Sequence, residues 1–322
     1  MSKTAKIWLI IAACLTVLGI LIGIGALAMT HWDLAGFSNV ELTTITHEVK
    51  DSFDNISIDI ETADVVFKPA DNGQCKVDCY DSEKNPYTVS VQENTLTITT
   101  DNSANWTERL SFFSFQSPKI SVFLPAKEYK QLSVSTDTGD VEIPGDFSFA
   151  GVTINGTSSD VDCRASAADD IEIHSTTGDI SLASLSADNI DIAVTTGDVT
   201  MQDVAAQGDL TVKTTTGDIT LKNTVSAKAF AFTGVSCDIQ FDCCDAAQIT
   251  VKTVTGDITG TLCSDKAFAA KSSSGDVDVP NTTDGGKCEL TTNTGDIHIR
   301  IVNDSPDTSP DSVKKSVEIA AG

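Results

Sequence analysis

Three consecutive stretches decide the fold: Thr176-Thr177-Gly178-Asp179-Ile180-Ser181-Leu182, Thr195-Thr196-Gly197-Asp198-Val199-Thr200-Met201 and Thr215-Thr216-Gly217-Asp218-Ile219-Thr220-Leu221. With the aspartate as marker, related strings recur at Asp140, Asp160, Asp179, Asp198, Asp218, Asp238, Asp257, Asp276 and Asp296, always 19 or 20 residues apart. A fixed period of this length is the signature of a repeat architecture in which each unit leans on its neighbours. Columns can therefore be read within this one chain. Every residue one place after the marker is Val or Ile, from Val141 to Ile297. The residue three places after it is apolar in every unit except at Gly260, and the position between is mostly polar. Eight and six places before the marker, Leu132 and Val134, Ile171 and Ile173, Ile190 and Ile192, and Leu210 and Val212 repeat the alternation. Period two marks strands with one buried face.

Each unit thus predicts two short strands separated by a corner. Gly139, Gly178, Gly197, Gly217, Gly256, Gly275 and Gly295 precede their markers, as a corner needing positive φ requires. Ser159 and Cys237 replace glycine in two units, where a strained or reshaped corner is expected. The residue two places before the marker is Ser or Thr in all nine units and is expected to point inward with the residue after the marker. One such unit cannot bury its apolar face alone. Stacking in register at about 4.8 Å per coil does so, and each fully buried aliphatic contributes about 1.5–3 kcal/mol. The expected fold is all-β, a single-chain parallel β-solenoid, with right-handed winding as the usual hand of β-crossovers. A meander of hairpins turning at Thr-Gly-Asp is the weaker alternative. A degenerate earlier unit stands at Asp64, with Ile56, Ile58, Thr62, Val65 and Phe67 at matching offsets. The insertion that follows it has strand-like segments and Trp106, Phe112, Phe113 and Phe115, and suits an end cap.

The N-terminus reads differently. Residues 7–29 are free of charge, and about 20 apolar residues suffice to span a bilayer. Lys3 and Lys6 precede the run and no Lys or Arg follows before Lys50, which places the N-terminus inside and the bulk of the chain outside the cytoplasm. Ala26-Leu27-Ala28 resembles a signal-peptidase site and Ile11-Ala12-Ala13-Cys14 a lipoprotein box. The run is longer than the apolar core of an ordinary signal peptide, so a retained anchor is preferred. The expected organisation is 1–6 a cytoplasmic stub, 7–29 a transmembrane helix, 30–50 a juxtamembrane linker, 51–130 a first coil with an inserted cap, 131–302 the repetitive solenoid and 303–322 a disordered tail.

The 322 residues carry 46 Asp and Glu against 21 Lys and Arg, a net charge of -25. Such a surface excludes nucleic acid as a partner, because phosphate binding needs basic patches. The marker aspartates would stand about 4.8 Å apart, where like charges repel by about 1 kcal/mol even in water. The preferred reading gives each carboxylate hydrogen bonds from turn N–H groups and from the Ser or Thr two residues earlier. A row of calcium sites is the weaker reading, since calcium wants about six to eight oxygens and each unit supplies one Gly-Asp. No cofactor or metal is expected, and the four histidines are scattered. The nine cysteines show no zinc spacing. Cys75 and Cys79 are too far apart on one strand to pair, and Cys163 and Cys288 fall in inward columns. Cys244 and Cys263 share an offset in successive units that permits a bridge. No nucleophile elbow, His-x-x-x-His pair or Cys/His pairing is present, and coils of uniform length leave no loops to shape a cleft, so the chain is not expected to be an enzyme.

The Thr-Gly-Asp-Ile/Val ladder resembles the putative adhesin family, a domain-of-unknown-function group of bacterial surface proteins with β-strand repeats. The resemblance extends to Trp32-Asp33, Phe53-Asp54-Asn55-Ile56-Ser57-Ile58, Ile120-Ser121-Val122-Phe123-Leu124-Pro125, Asp245-Ala246-Ala247 and Asn293-Thr294-Gly295-Asp296-Ile297. It implies a membrane-anchored, extracellular, non-catalytic binding or scaffold module; its ligand is left open, a glycan or matrix component being options, and a cationic peptide one that the charge suits. Some relatives resemble components of cell-envelope stress responses, which implies as an alternative a regulatory protein that senses or sequesters peptides or wall components. A glycan-acting β-helix enzyme ranks third.

Overall fold

The computed structural model describes residues 42–82, 87–100 and 118–302, together with Thr16, Val17 and Gly19. From residue 42 to 302 every described element is a β-strand, and adjacent coils pair in parallel. Val199 lies opposite Ile219 and Ile219 opposite Ile239, so equivalent side chains form continuous internal stripes. The strands before the corner pair likewise, with Ile171 on Ile190 and Ile190 on Leu210. A hairpin meander is excluded, since hairpins would pair these strands antiparallel. The molecule is a parallel β-solenoid, with coils named below by their marker.

Each coil has three inward-facing segments rather than two. After Ile180 and Leu182 the chain turns and buries Leu185 and Ala187, which pair with Val204 and Ala206 of the next coil. The turn is made by a non-glycine residue with positive φ, five places after the marker: Ser184, Asp203, Asn223 and Cys243 in four coils. In the Asp257 coil this corner is one residue shorter. Gly260 takes a φ of +126° there, and an added Cβ would strike the Phe241 carbonyl. The glycine that breaks the apolar column is therefore a displaced corner. The slip sets Leu262 opposite Cys244, and the bridge that forms is Cys243–Cys263, with Cα atoms 5.4 Å apart. The Cys244–Cys263 bridge that the shared offset permitted does not form, and Cys244 is a buried free thiol.

The ends depart from sequence order. At the N-terminal end, Asn55–Thr62 of the Asp64 coil lies between Thr95–Thr100 on one side and Glu128–Thr138 on the other. At the C-terminal end, the Asp296 coil sits directly on the Asp257 coil, with Cys288 opposite Ile249 and Ile297 opposite Ile258. The Asp276 coil is outermost, stacked on Asp296. The expectation that every coil lies atop its predecessor fails at these two places, and at both the chain runs out to the end and folds one layer back. Antiparallel strands cover the N-terminal edge: Tyr87–Gln92 pairs with Thr95–Thr100, and Cys75–Ser82 pairs with Lys119–Leu124.

The stretch expected as a linker over 30–50 contains a strand, Leu42–Val49, paired antiparallel with Cys75–Ser82. The expected transmembrane helix over 7–29, the aromatic residues of the insertion and the tail from 303 lie outside the described residues, save for Thr16, Val17 and Gly19. Among the described residues no helix is long and apolar enough to cross a membrane.

Candidate functional site

The corner at the marker repeats one arrangement through the stack. The backbone N–H of each marker aspartate donates to Oδ1 of the marker in the adjoining coil. Asp140 donates to Asp64 at 3.1 Å, Asp160 to Asp140 at 3.1 Å, Asp179 to Asp160 at 2.7 Å, Asp198 to Asp179 at 2.8 Å and Asp218 to Asp198 at 2.8 Å. The row continues from Asp238 to Asp218 at 3.0 Å and from Asp257 to Asp238 at 2.8 Å. It then follows the stacking order, with Asp296 on Asp257 at 2.7 Å and Asp276 on Asp296 at 2.8 Å. The markers are exposed on the outside of the corner. Charge-assisted bonds of this kind are about twice as strong as neutral ones, enough to offset repulsion of about 1 kcal/mol between neighbours.

The glycine is required by the same stacking. Gly197 has a φ of +147°, and a Cβ there would meet the Gly178 carbonyl oxygen at 2.0 Å. All seven expected corner glycines have positive φ, from +127° to +155°. Ser159 and Cys237 do not, so those corners are reshaped rather than strained. The reshaping is compensated three residues earlier. The fourth residue before the marker is buried Ser175, Val194, Thr214, Thr253 or Thr292 in ordinary coils, but Gly156 and Gly234 in these two. A Cβ on Gly156 would lie 2.7 Å from Ser159 Cβ, and one on Gly234 would collide with Cys237 Cβ. One side chain fills the space, from either position.

The hydroxyl column two places before the marker faces solvent instead of the interior, because the strand's alternation carries the fourth residue inward and the chain turns after it. Those hydroxyls are not the donors to the aspartates. The buried hydroxyls are one inward position further back, and all but that of Thr136 serve carbonyls around the corner. Thr253 Oγ1 donates to Cys237 O and Thr255 O, both at 3.2 Å, and Thr292 Oγ1 to Gly256 O at 3.0 Å and Thr294 O at 3.2 Å. The column of small and hydroxylated residues at that offset was the available signal.

Beside the ladder the surface is polar and regular, with Thr176-Thr177, Thr195-Thr196 and Thr215-Thr216 exposed in successive coils. A shallow open groove of about 480 Å³ runs over Asn155, His174, Ser175, Thr195 and Lys213. Near the far end, Lys266 is 3% exposed and its Nζ lies 2.5 Å from Asp245 Oδ1 and bonds Ser264. Among the described residues no three His, Cys, Asp or Glu side chains converge so as to hold a metal ion. Burial pushes the thiols of Cys75, Cys163, Cys237 and Cys288 up to about 12 and that of Cys244 to about 11. They are therefore neutral and unreactive at pH 7.

The fold and its corner define a class: a three-sided parallel β-solenoid closed by an aspartate-to-backbone ladder. The chain belongs to the Toastrack DUF4097 family, whose model matches residues 53–224 and 188–319. In structure it is similar to a putative adhesin from Parabacteroides merdae, at 13% identity and a TM-score of 0.53, over 82% of this chain and 98% of that one. It is also similar to a putative adhesin from Parabacteroides distasonis, at 13% identity and a TM-score of 0.50, over 82% and 98%. No curated protein matches the chain in sequence.

Proposed function

We propose that this protein is a non-catalytic, adhesin-like surface module, held to the cell membrane by residues 7–29 and displaying the solenoid outside. The observation that supports this reading best is the ladder itself: a rigid row of exposed carboxylates flanked by paired threonines, repeated at the strand spacing. A repeated polar surface suits multivalent contact with a repetitive ligand, because linked weak contacts multiply in avidity. The names of the two structural neighbours agree with it. The Cys243–Cys263 bridge suits an oxidising compartment outside the cytoplasm. The test is binding of the full chain, reconstituted in lipid nanodiscs, to immobilised mucin glycans and matrix proteins. Retention abolished by neutralising three adjacent markers (D179N/D198N/D218N) supports the reading, and retention on neither class of surface overturns it.

The net charge of -25 favours one second reading, capture of cationic peptides in a regulatory role at the envelope. Binding of a polycationic peptide that weakens steeply as salt rises from low to above physiological strength, as screening predicts, would select it over glycan recognition.

A further inference from the structure

One outward column departs from the acidic character of the chain. It stands five places before the marker, on the strand that leads into the Thr-Gly-Asp corner. In stacking order from the Asp140 coil it begins Ser135, Asn155, His174, Ala193 and Lys213. It continues Thr233, Lys252, Thr291 and Lys271. None of these is Asp or Glu, in a chain with 46 acids against 21 bases. From His174 onward a basic residue recurs at every second coil, and all four are exposed. The fold-back is what makes the spacing regular. Lys252 and Lys271 belong to consecutive units of the sequence, but the inserted Asp296 coil sets Thr291 between them. At about 4.8 Å per coil the repeat is about 9.6 Å, and the file from His174 to Lys271 is about 29 Å long.

The surroundings are asymmetric. Glu172, Asp191 and Glu289 flank the file on one side, and Thr176, Thr195 and Thr215 flank it on the other. The open groove of about 480 Å³ runs on the threonine side, and no Asp or Glu lines it. Lys213 lies 3.9 Å from Asp191 Oδ1 with both side chains about half-exposed, a weak contact that leaves the ammonium available.

We propose that this file binds a linear acidic polysaccharide carrying one carboxylate on every second sugar. Two extended pyranose rings advance about as far as two coils, so successive carboxylates meet successive cations. The coils between, with Ala193, Thr233 and Thr291, take the uncharged sugars, and the flanking threonines offer hydroxyls to the rings. The inference rests on the glycan-binding reading above and supplies its ligand class. Each exposed pair contributes at most about 1 kcal/mol, so binding needs several engaged together and weakens as salt rises.

The test is calorimetric titration of the full chain in lipid nanodiscs with hyaluronan fragments of about six to eight sugars, the length of the file. Binding is expected, and K213T/K252T/K271T is expected to weaken it by at least about tenfold. Threonine already occupies this column in alternate coils, so the variant keeps the fold. T233K/K252T moves one cation by a single coil at unchanged net charge, and is expected to weaken binding about fivefold, the worth of one such contact. Undiminished binding by T233K/K252T would overturn the proposal, and so would equal affinity for polyphosphate, because charge alone would then suffice. Retention on mucin or matrix without binding of hyaluronan overturns this inference and leaves the surface-module reading standing. Failure on every one of these surfaces overturns both.

Discussion

A marker aspartate has two separable jobs, acceptor and charge. Asp198 accepts the Asp218 N–H at 2.8 Å. An asparagine there keeps an oxygen in place while removing one of a row of like charges. Asp198→Asn is therefore expected to leave stability unchanged or raise it slightly at low salt. Asp198→Ala orphans the N–H and is expected to cost about 1–2 kcal/mol, less the relieved repulsion. Urea midpoints at low and high salt separate the two. The buried thiols give a second prediction, in pH. Cys163 is fully buried and pushed up to about 12, so the folded state holds its proton where an unfolded thiol, near about 8.5, releases it. Its contribution is complete below about pH 8.5 and is lost as pH rises towards 12. At pH 10 the loss is about 2 kcal/mol per such thiol. Comparing the fall in unfolding free energy between pH 8 and 10 for wild type and Cys163→Ala checks this, and the variant is expected to lose less.

At the scale of the coil, the corner tolerates only one arrangement of volume. Gly156→Ser adds a side chain whose Cβ falls 2.7 Å from Ser159 Cβ. It is expected to destabilise by about 1–3 kcal/mol, the range of overpacking. Adding Ser159→Gly recreates the ordinary corner, and the double variant is expected to recover most of that loss. A double-mutant cycle in urea reads the coupling directly, and simple additivity would show that the two positions do not share space. The inward columns were legible from sequence because Val, Ile and Leu recur at period two, and the Asp64 coil was placed correctly by the same offsets, with Ile56 on Leu132 and Ile58 on Val134. The third side was not, because its columns mix Leu185 and Val204 with small or hydroxylated residues such as Ala187, Ala206, Thr224 and Ser226, so no column stays apolar through the stack. The partner of Cys263 was not legible, because equal spacing along the chain conceals a shortened corner.

Stacking order is a property of the whole molecule, and local sequence barely encodes it. Every coil presents the same columns above and below, so Asp296 fits on Asp257 as well as Asp276 would. One signal was available. Pro280 follows the short strand Val277–Asp278 and lacks an N–H, which suits an outermost layer better than an interior one. The order has a measurable result. Gly286–Thr294 and Ile297–Ile301 are close to the end of the chain yet have ladders on both sides. Native-state hydrogen exchange of 286–301 is expected to be as slow as that of the interior strand Ile239–Lys252, and slower than that of 266–278. Faster exchange in 286–301 than in 266–278 would show ordinary end-fraying instead.

The folding-back at both extremities also has a mechanical meaning. A tug on the chain at residue 55 or residue 301 does not peel an outer ribbon. It must drag a strand out from between two others, breaking both rows of backbone bonds together in shear. Unravelling from either extremity therefore has to break two ladders at its first step instead of one.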